Sequence, residues 1–508
     1  MNLISSASVF SFFTLISRVL GYLRDVLIAI FLGASIFADA FFVAFRLPNT
    51  FRRLFAEGTF NAAFIPNYTS ARIESKKNGK KFADEVLSLL LLVLIFTVTI
   101  VEIFTPYLVY IIAPGFIEND LKFELAVQFT RVTFPFLLFV SLSSFFSGIL
   151  NSYNKFAAAA AAPIILNIVL ILSLIISYYY KLNFAEQLTY AVTFAGVLQL
   201  LFLIYVTNKF YKPFIKFKKK INKKVIIFFK KLLPSVLSSG VTQINILIGT
   251  IIASFETGAV SYLYYADRIY QINLAIAGIA VGTVSLPALS KAFKNKDSIQ
   301  LSNIQNKSFE LSLLLSIPAS FGLVLGSYEI VNALFGYGSF SIEDVEMTAK
   351  ALKYFGFGVP AFALIKILSN FFFARNNTKT PFYISTFIVL ANILISVSFF
   401  SKIGFIIIPI ATSVSTWLGV IIYIYLLSKK KSLLLKSDLL IVSLKIVIST
   451  IIMSLILLLT LEYGASYLDY AYKYKAFYLI AIVCFVGIVY LLSCKILGIL
   501  KIKNYKTN

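Results

Sequence analysis

Val86-Leu87-Ser88-Leu89-Leu90-Leu91-Leu92-Val93-Leu94-Ile95-Phe96-Thr97-Val98-Thr99-Ile100-Val101 carries no charge and shows no alternation of polar and apolar positions. Wound as an α-helix it rises about 24 Å, most of the roughly 30 Å of hydrocarbon in a bilayer. Runs of the same kind recur at Ile164–Tyr178, Tyr383–Phe400 and Phe477–Leu492. A helix satisfies its own backbone in lipid and an open sheet does not. The continuity of the runs excludes a transmembrane barrel, which would alternate every second residue. Composition agrees: 59% of the 508 residues are hydrophobic and 13% charged, against about a quarter charged in soluble domains. The first apolar stretch has no basic residue before Arg18 and carries charge in its middle, so it reads as a span and not as a cleaved leader.

Working outward from these runs predicts an all-α polytopic membrane protein with about fourteen transmembrane helices. The first two spans cover 5–30 and 37–62, the seventh 226–249, the eighth 259–286 and the last 476–494. With the N-terminus inside, the inner loops hold 28 Lys and Arg and the outer loops hold 5. This asymmetry follows the positive-inside rule and places both termini of this inner-membrane protein in the cytoplasm. It also assigns most of the net charge of +24 to loops facing anionic lipid, so nucleic acid is not expected as a partner. The longest basic loop divides the chain into a six-helix lobe over 1–206, a linker over 207–225, a second six-helix lobe over 226–428, and two accessory helices with a tail over 429–508. Two bundles of six are the layout of an alternating-access transporter.

Several chemistries are missing. There are no histidines and only two cysteines, Cys484 and Cys494, whose offset on one helix forbids a bridge. No phosphate-binding loop, Ser-His pair or metal-ligand cluster can be assembled, which argues against an enzyme.

The informative residues are charges at membrane depth. Arg18, Arg24, Arg46, Arg52 and Arg53, with Asp25, Asp39 and Glu57, fall within the first two spans. One such side chain at mid-span costs about 2.5–3.5 kcal/mol on insertion scales, so eight of them must face a wet cavity, one another, or the membrane surface. At 100° per residue Arg18 and Asp25 share a face, and Asp39 and Arg46 share another that continues through Asn49, Arg53 and Glu57. Arg24 and Arg52 point away from both stripes, leaving two arginines without an acid on their own side. Such guanidinium groups offer a planar fork of donors to a doubly charged or bidentate anion. Asp267 and Arg268 form a second charged spot on span eight, diverging by 100°, and Arg268 is expected to join the N-terminal arginines across a central cavity. Prolines at Pro48, Pro135, Pro234 and Pro360 are placed to kink or interrupt spans.

These residues carry a resemblance. Ser17-Arg18-Val19-Leu20-Gly21-Tyr22-Leu23-Arg24-Asp25, Ala38-Asp39-Ala40-Phe41-Phe42-Val43-Ala44-Phe45-Arg46-Leu47-Pro48-Asn49 and Arg52-Arg53-Leu54-Phe55-Ala56-Glu57-Gly58 resemble the MurJ (MviN) lipid II flippases. Tyr264-Tyr265-Ala266-Asp267-Arg268 through Gly282-Thr283-Val284-Ser285-Leu286-Pro287 fits the same family. The resemblance implies a member of the multidrug/oligosaccharidyl-lipid/polysaccharide exporter superfamily that moves undecaprenyl-pyrophosphate-linked peptidoglycan precursor to the periplasmic leaflet. It implies substrate contact by Arg18, Arg24, Arg52 and Arg268, with Asp25 and Asp39 also involved, and a lipid-tail groove formed by the last two helices. Arg46, Arg53, Glu57 and Asp267 complete the expected set of cavity charges. No cofactor is expected. The family is linked to membrane potential, and some members to a sodium site on spans seven, eleven and twelve; here span twelve has no carboxylate and span seven only amides, which argues against sodium coupling. Expected partners are lipid II and membrane phospholipids, with cell-wall synthesis proteins as further candidates and a monomer as the working form. The rival readings are a flippase for another polyprenyl-linked glycan and a non-transporting lipid-binding scaffold.

Overall fold

The computed structural model describes residues 3–56, 59–215 and 223–500, with twenty α-helices and no strand among them. The chain resolves into two compact units, Met1–Ser261 and Tyr262–Asn508. The first contains α1 (Leu3–Leu32), α2 (Ile36–Ala56), α3 (Thr59–Glu74), α4 (Lys76–Ile103), α5 (Thr105–Ile112), α6 (Asp120–Thr133), α7 (Phe136–Ser152), α8 (Phe156–Tyr180), α9 (Phe184–Thr207) and α10 (Lys223–Ala253). The division falls inside α11 (Ala259–Leu274). The second unit continues with α12 (Val281–Lys294), α13 (Ser298–Leu325), α14 (Ser327–Phe335), α15 (Ile342–Gly356), α16 (Val359–Phe373), α17 (Lys379–Ile403), α18 (Ile407–Lys429), α19 (Asp438–Tyr463) and α20 (Lys475–Ile496). A π-helical turn, Ala275–Ala280, separates α11 from α12.

Ten segments among the described residues are long and apolar enough to cross a membrane, and one of these, Lys379–Lys429, contains both α17 and α18. Large apolar side chains such as Phe96, Leu394, Leu440 and Phe477 are exposed, which suits contact with lipid and not with water. The protein is therefore an all-α polytopic membrane protein.

Local chemistry sets the helix limits. The stretch 67–81, expected as an inner loop, is helical on both sides of Ser75, because the Ser75 hydroxyl accepts from Asn78 N and starts α4 afresh. Asn119 and Asn183 cap α6 and α9 in the same way, and Ser341 and Asp344 form a capping box on α15. Pro135 lies in the break between α6 and α7, and Pro360 occupies the first turn of α16, where a missing N–H is harmless.

In the first unit α1 packs along α8, α8 on α9, α2 on α6, and α10 on α2 and α3. Phe64 anchors its aromatic core, with Phe60, Tyr68, Phe82 and Phe145 ringed around it. At the end of α9, Asp84 accepts from Tyr211 Oη (2.6 Å) and Phe214 N (3.2 Å), tying the start of the basic linker to α4. Burial, and then the adjoining carboxylate, push the Tyr211 phenol well above its ordinary range, so it stays a donor. In the second unit α13 packs on α16 and α19, α16 on α18, and α19 on α20.

Pro48 lies inside α2, and its missing N–H leaves the Ala44 carbonyl without an intrahelical donor. Thr133 Oγ1, at the end of α6, donates to that carbonyl at 3.0 Å. Thr133→Val should therefore lower stability by about 1–3 kcal/mol, the cost of orphaning a buried acceptor, while Thr133→Ser should not. Thermal melts of the two purified variants decide it, and identical melts would remove the assigned role.

Candidate functional site

Each charge expected at membrane depth has its own surroundings. Arg18 is exposed on α1. Arg24 is buried and turns back on its neighbour: Nε and Nη2 donate to Asp25 Oδ1 at 3.0 and 2.7 Å, and Nη1 donates to Asn167 Oδ1 at 3.0 Å. The Asn167 amide in turn donates to Ser17 O at 2.9 Å, locking α8 to α1. The angular reading had paired Asp25 with Arg18 and left Arg24 alone. The length of the arginine side chain overrides the 100° step between adjacent residues, and the carboxylate goes to Arg24.

Asp39 is fully buried and also differs from the expected pairing. Its carboxylate accepts from Lys122 Nζ (2.7 Å), Gly258 N (2.9 Å), Ser261 N (3.0 Å) and Ser261 Oγ (2.6 Å). Two backbone donors and a hydroxyl at the start of α11, together with an ammonium from α6, replace the water this carboxylate loses. Gly258 has φ 78°, a left-handed conformation that glycine adopts without strain and that here accompanies an N–H directed at the carboxylate. Lys122 Nζ also stands 4.1 Å from the centre of the Phe116 ring. Arg46, expected on the Asp39 face, is half-buried and takes no part in this set.

Arg52 is half-buried, and its Nε donates to Asn49 Oδ1 at 3.0 Å. Arg53 is helical, but its side chain lies outside the described residues, as does Glu57 altogether. In the second unit Arg268 is half-buried, with Nη2 donating to Tyr264 Oη at 2.8 Å and the guanidinium 4.5 Å from the centre of that ring. Asp267 accepts from Gln271 Nε2 instead of pairing with Arg268. The π-helical turn begins seven residues beyond Arg268, a deviation common where helices carry function.

Two participants escaped the sequence reading. Lys122 falls in one of the outer loops of the fourteen-span reading, and a lone Lys between Glu118, Asp120 and Glu124 beside a capped helix start is its signal. Asn167 is the single amide in an otherwise apolar run, which was its signal. Among the described residues no group of three or more His, Cys, Asp or Glu stands close enough to hold a metal.

The model of the family described as "Lipid II flippase MurJ" matches residues 28–479. The chain belongs to this family. A Rickettsia prowazekii (strain Madrid E) protein named probable lipid II flippase MurJ is 38% identical over 485 residues, covering 93% of this chain and 92% of that protein. A solved structure titled lipid II flippase MurJ, inward closed conformation, superimposes with a TM-score of 0.81 at 28% identity, covering 96% of this chain and 98% of the other. An inward-facing multidrug MATE transporter of the MOP superfamily shares the fold at 15% identity, with a TM-score of 0.65 and 82% of this chain covered. Family members are transporters, and this chain is one too.

Lys122→Met would leave Asp39 buried without its counter-charge, a change worth about 3–5 kcal/mol when one partner of such a pair is removed. Pairing it with Asp39→Asn should restore part of that loss. Denaturation of the single and double variants checks this, and a Lys122→Met protein as stable as the parent would contradict it.

Proposed function

We propose that this chain carries lipid II, the undecaprenyl-pyrophosphate-linked peptidoglycan precursor, from the cytoplasmic to the periplasmic leaflet by alternating access. What carries the reading is the family match over 28–479, together with arginines at every motif position where the resemblance calls for one. A diphosphate suits guanidinium because each planar fork can donate to two of its oxygens at once. We assign that contact to Arg18, Arg24, Arg52 and Arg268, with Asp25, Asp39, Arg46, Arg53, Glu57 and Asp267 shaping the charge around it. Of the four, Arg24 is the buried one, with Asp25 and Asn167 around it, while the others are exposed or half-buried. Arg18, Arg52 and Arg268 are the better candidates for direct contact.

The topology we propose has fourteen crossings. It follows from dividing Lys379–Lys429 between α17 and α18, and from adding α1, the α2–α3 pair and α10 to the other apolar segments. Both termini then lie in the cytoplasm, in keeping with the surplus of Lys and Arg in the inner loops. Residues 1–206 and 226–428 form the two six-helix lobes, 207–225 links them, and 429–508 supplies the terminal pair and tail. Binding of the anionic headgroup neutralises the arginines and allows the inner side to close. A negative-inside potential then favours inward return of the empty cationic site, by about 2.3 kcal/mol per charge per 100 mV if the full field is crossed.

Arg268→Ala should slow leaflet translocation of lipid II in proteoliposomes by roughly ten- to a hundredfold, the worth of one charge-assisted hydrogen bond. Undiminished flipping would reject the assignment. Collapsing an imposed negative-inside potential should slow steady-state flipping by the parent chain, and a rate indifferent to potential would reject the return step. Transport of another polyprenyl-linked glycan in preference to lipid II would favour the rival substrate.

A further inference from the structure

The last two helices, α19 and α20, meet the second unit along α13. Leu313, Leu314, Ile317 and Leu325 of α13 share an apolar cluster with Ile446, Met453 and Leu457 of α19 and with Leu479, Ile482 and Val486 of α20. Such aliphatic contact is non-directional. Buried Ser449, Thr450 and Ser454 lie on α19. No hydrogen bond joins α13 to α19 among the described residues, and the hydroxyls of Ser312, Ser316, Ser449 and Ser454 are buried without partners. Directional restraint on this apolar seam comes from other positions.

Three polar ties supply it. At the start of the pair, Ser302 Oγ and Asn306 Nδ2 on α13 donate to Leu434 O at 2.7 and 2.8 Å, and Gln305 Oε1 accepts from Leu434 N at 2.8 Å. In the middle, Pro318 interrupts the ladder of α13 and leaves the Leu314 carbonyl without its intrahelical donor. Tyr490 on α20 is buried, and its hydroxyl donates to that carbonyl at 2.8 Å. At the turn between the two helices, Lys475 has no exposed surface. Its Nζ donates to Asn332 Oδ1 (2.8 Å), Gly336 O (2.6 Å) and Tyr470 O (2.6 Å), using all three protons. The rings of Tyr337 and Tyr470 flank it at 4.4 and 4.5 Å. Fifteen residues separate Lys475 from Tyr490, about 22 Å along the helix.

We propose that Tyr490 and Lys475 are positioning residues that hold α19 and α20 in one register on α13, so that the terminal pair moves with the second unit as one body. Lys475 acts as a tethered cation in a cage of three oxygens and two aromatic faces. Tyr490 answers a carbonyl that only a proline makes available. The bearing on transport rests on the lipid II reading: a tail groove bordered by this pair keeps the same wall throughout the cycle. The register itself does not rest on that reading and can be tested without substrate.

The chain's own two cysteines, both free, report on it. Cys494 is buried one turn beyond Tyr490, and Cys484 is exposed on the same helix. Full-length protein in detergent is treated with N-ethylmaleimide, and each site is followed by peptide mass. In the parent chain Cys484 should label freely and Cys494 slowly. Tyr490→Phe, which removes one oxygen, should speed Cys494 labelling by about tenfold, the effect of losing one buried hydrogen bond, and leave Cys484 unchanged. Lys475→Met should have the larger effect, and the Cys484 rate separates local release from general unfolding. If Lys475→Met fails to fold, Tyr490→Phe alone decides. Equal labelling of the two cysteines in the parent, or an unchanged Cys494 rate in Tyr490→Phe and in every folded Lys475→Met preparation, overturns the proposal.

Discussion

Asp39 is a carboxylate with no exposed surface in a protein whose outer face is hydrocarbon. Withdrawing such a group from water costs several kcal/mol unless charge and hydrogen bonds replace the solvent. Lys122 supplies the charge, and Gly258 N, Ser261 N and Ser261 Oγ supply the hydrogen bonds. α2, α6 and the start of α11 therefore have to meet at one point. The same constraint acts on the other buried charges, Arg24 and Lys475, which find their partners inside the protein.

Prolines show how this constraint shapes helix packing. A proline within a span frees the carbonyl four residues earlier, and a second helix must answer it. Thr133 answers Ala44, and Tyr490 answers Leu314. In these two cases the residue that interrupts one helix provides the contact by which another is placed. The apolar seam between α13 and the terminal pair is the converse: aliphatic contact is non-directional, and the polar ties at its ends and middle add the direction.

The arginines divide between two tasks under the same rule. Arg24 is buried and shared between Asp25 and Asn167, an arrangement that joins α1 to α8 and keeps a guanidinium at depth. Arg18, Arg52 and Arg268 are exposed or half-buried. Arg52 donates to the Asn49 amide oxygen, and Arg268 lies against the Tyr264 ring.

The sequence by itself determined that the chain is a bundle of membrane-spanning helices, because uninterrupted apolar runs leave lipid as the only favourable surrounding. It also located the charges that are costly at membrane depth, and the motifs around Arg18, Asp39 and Arg268 pointed to the family. Only the tertiary structure decided who pairs with whom. Lys122 lies 83 residues from Asp39, Asn167 lies 143 from Arg24, and Lys475 lies 143 from Asn332. Lys122 and Lys475 read as outer-loop charges for that reason. Helical periodicity assigns each residue a face on its own helix, but the identity of the helix opposite is set by packing between distant segments, and at membrane depth that neighbour is the only partner a polar group has.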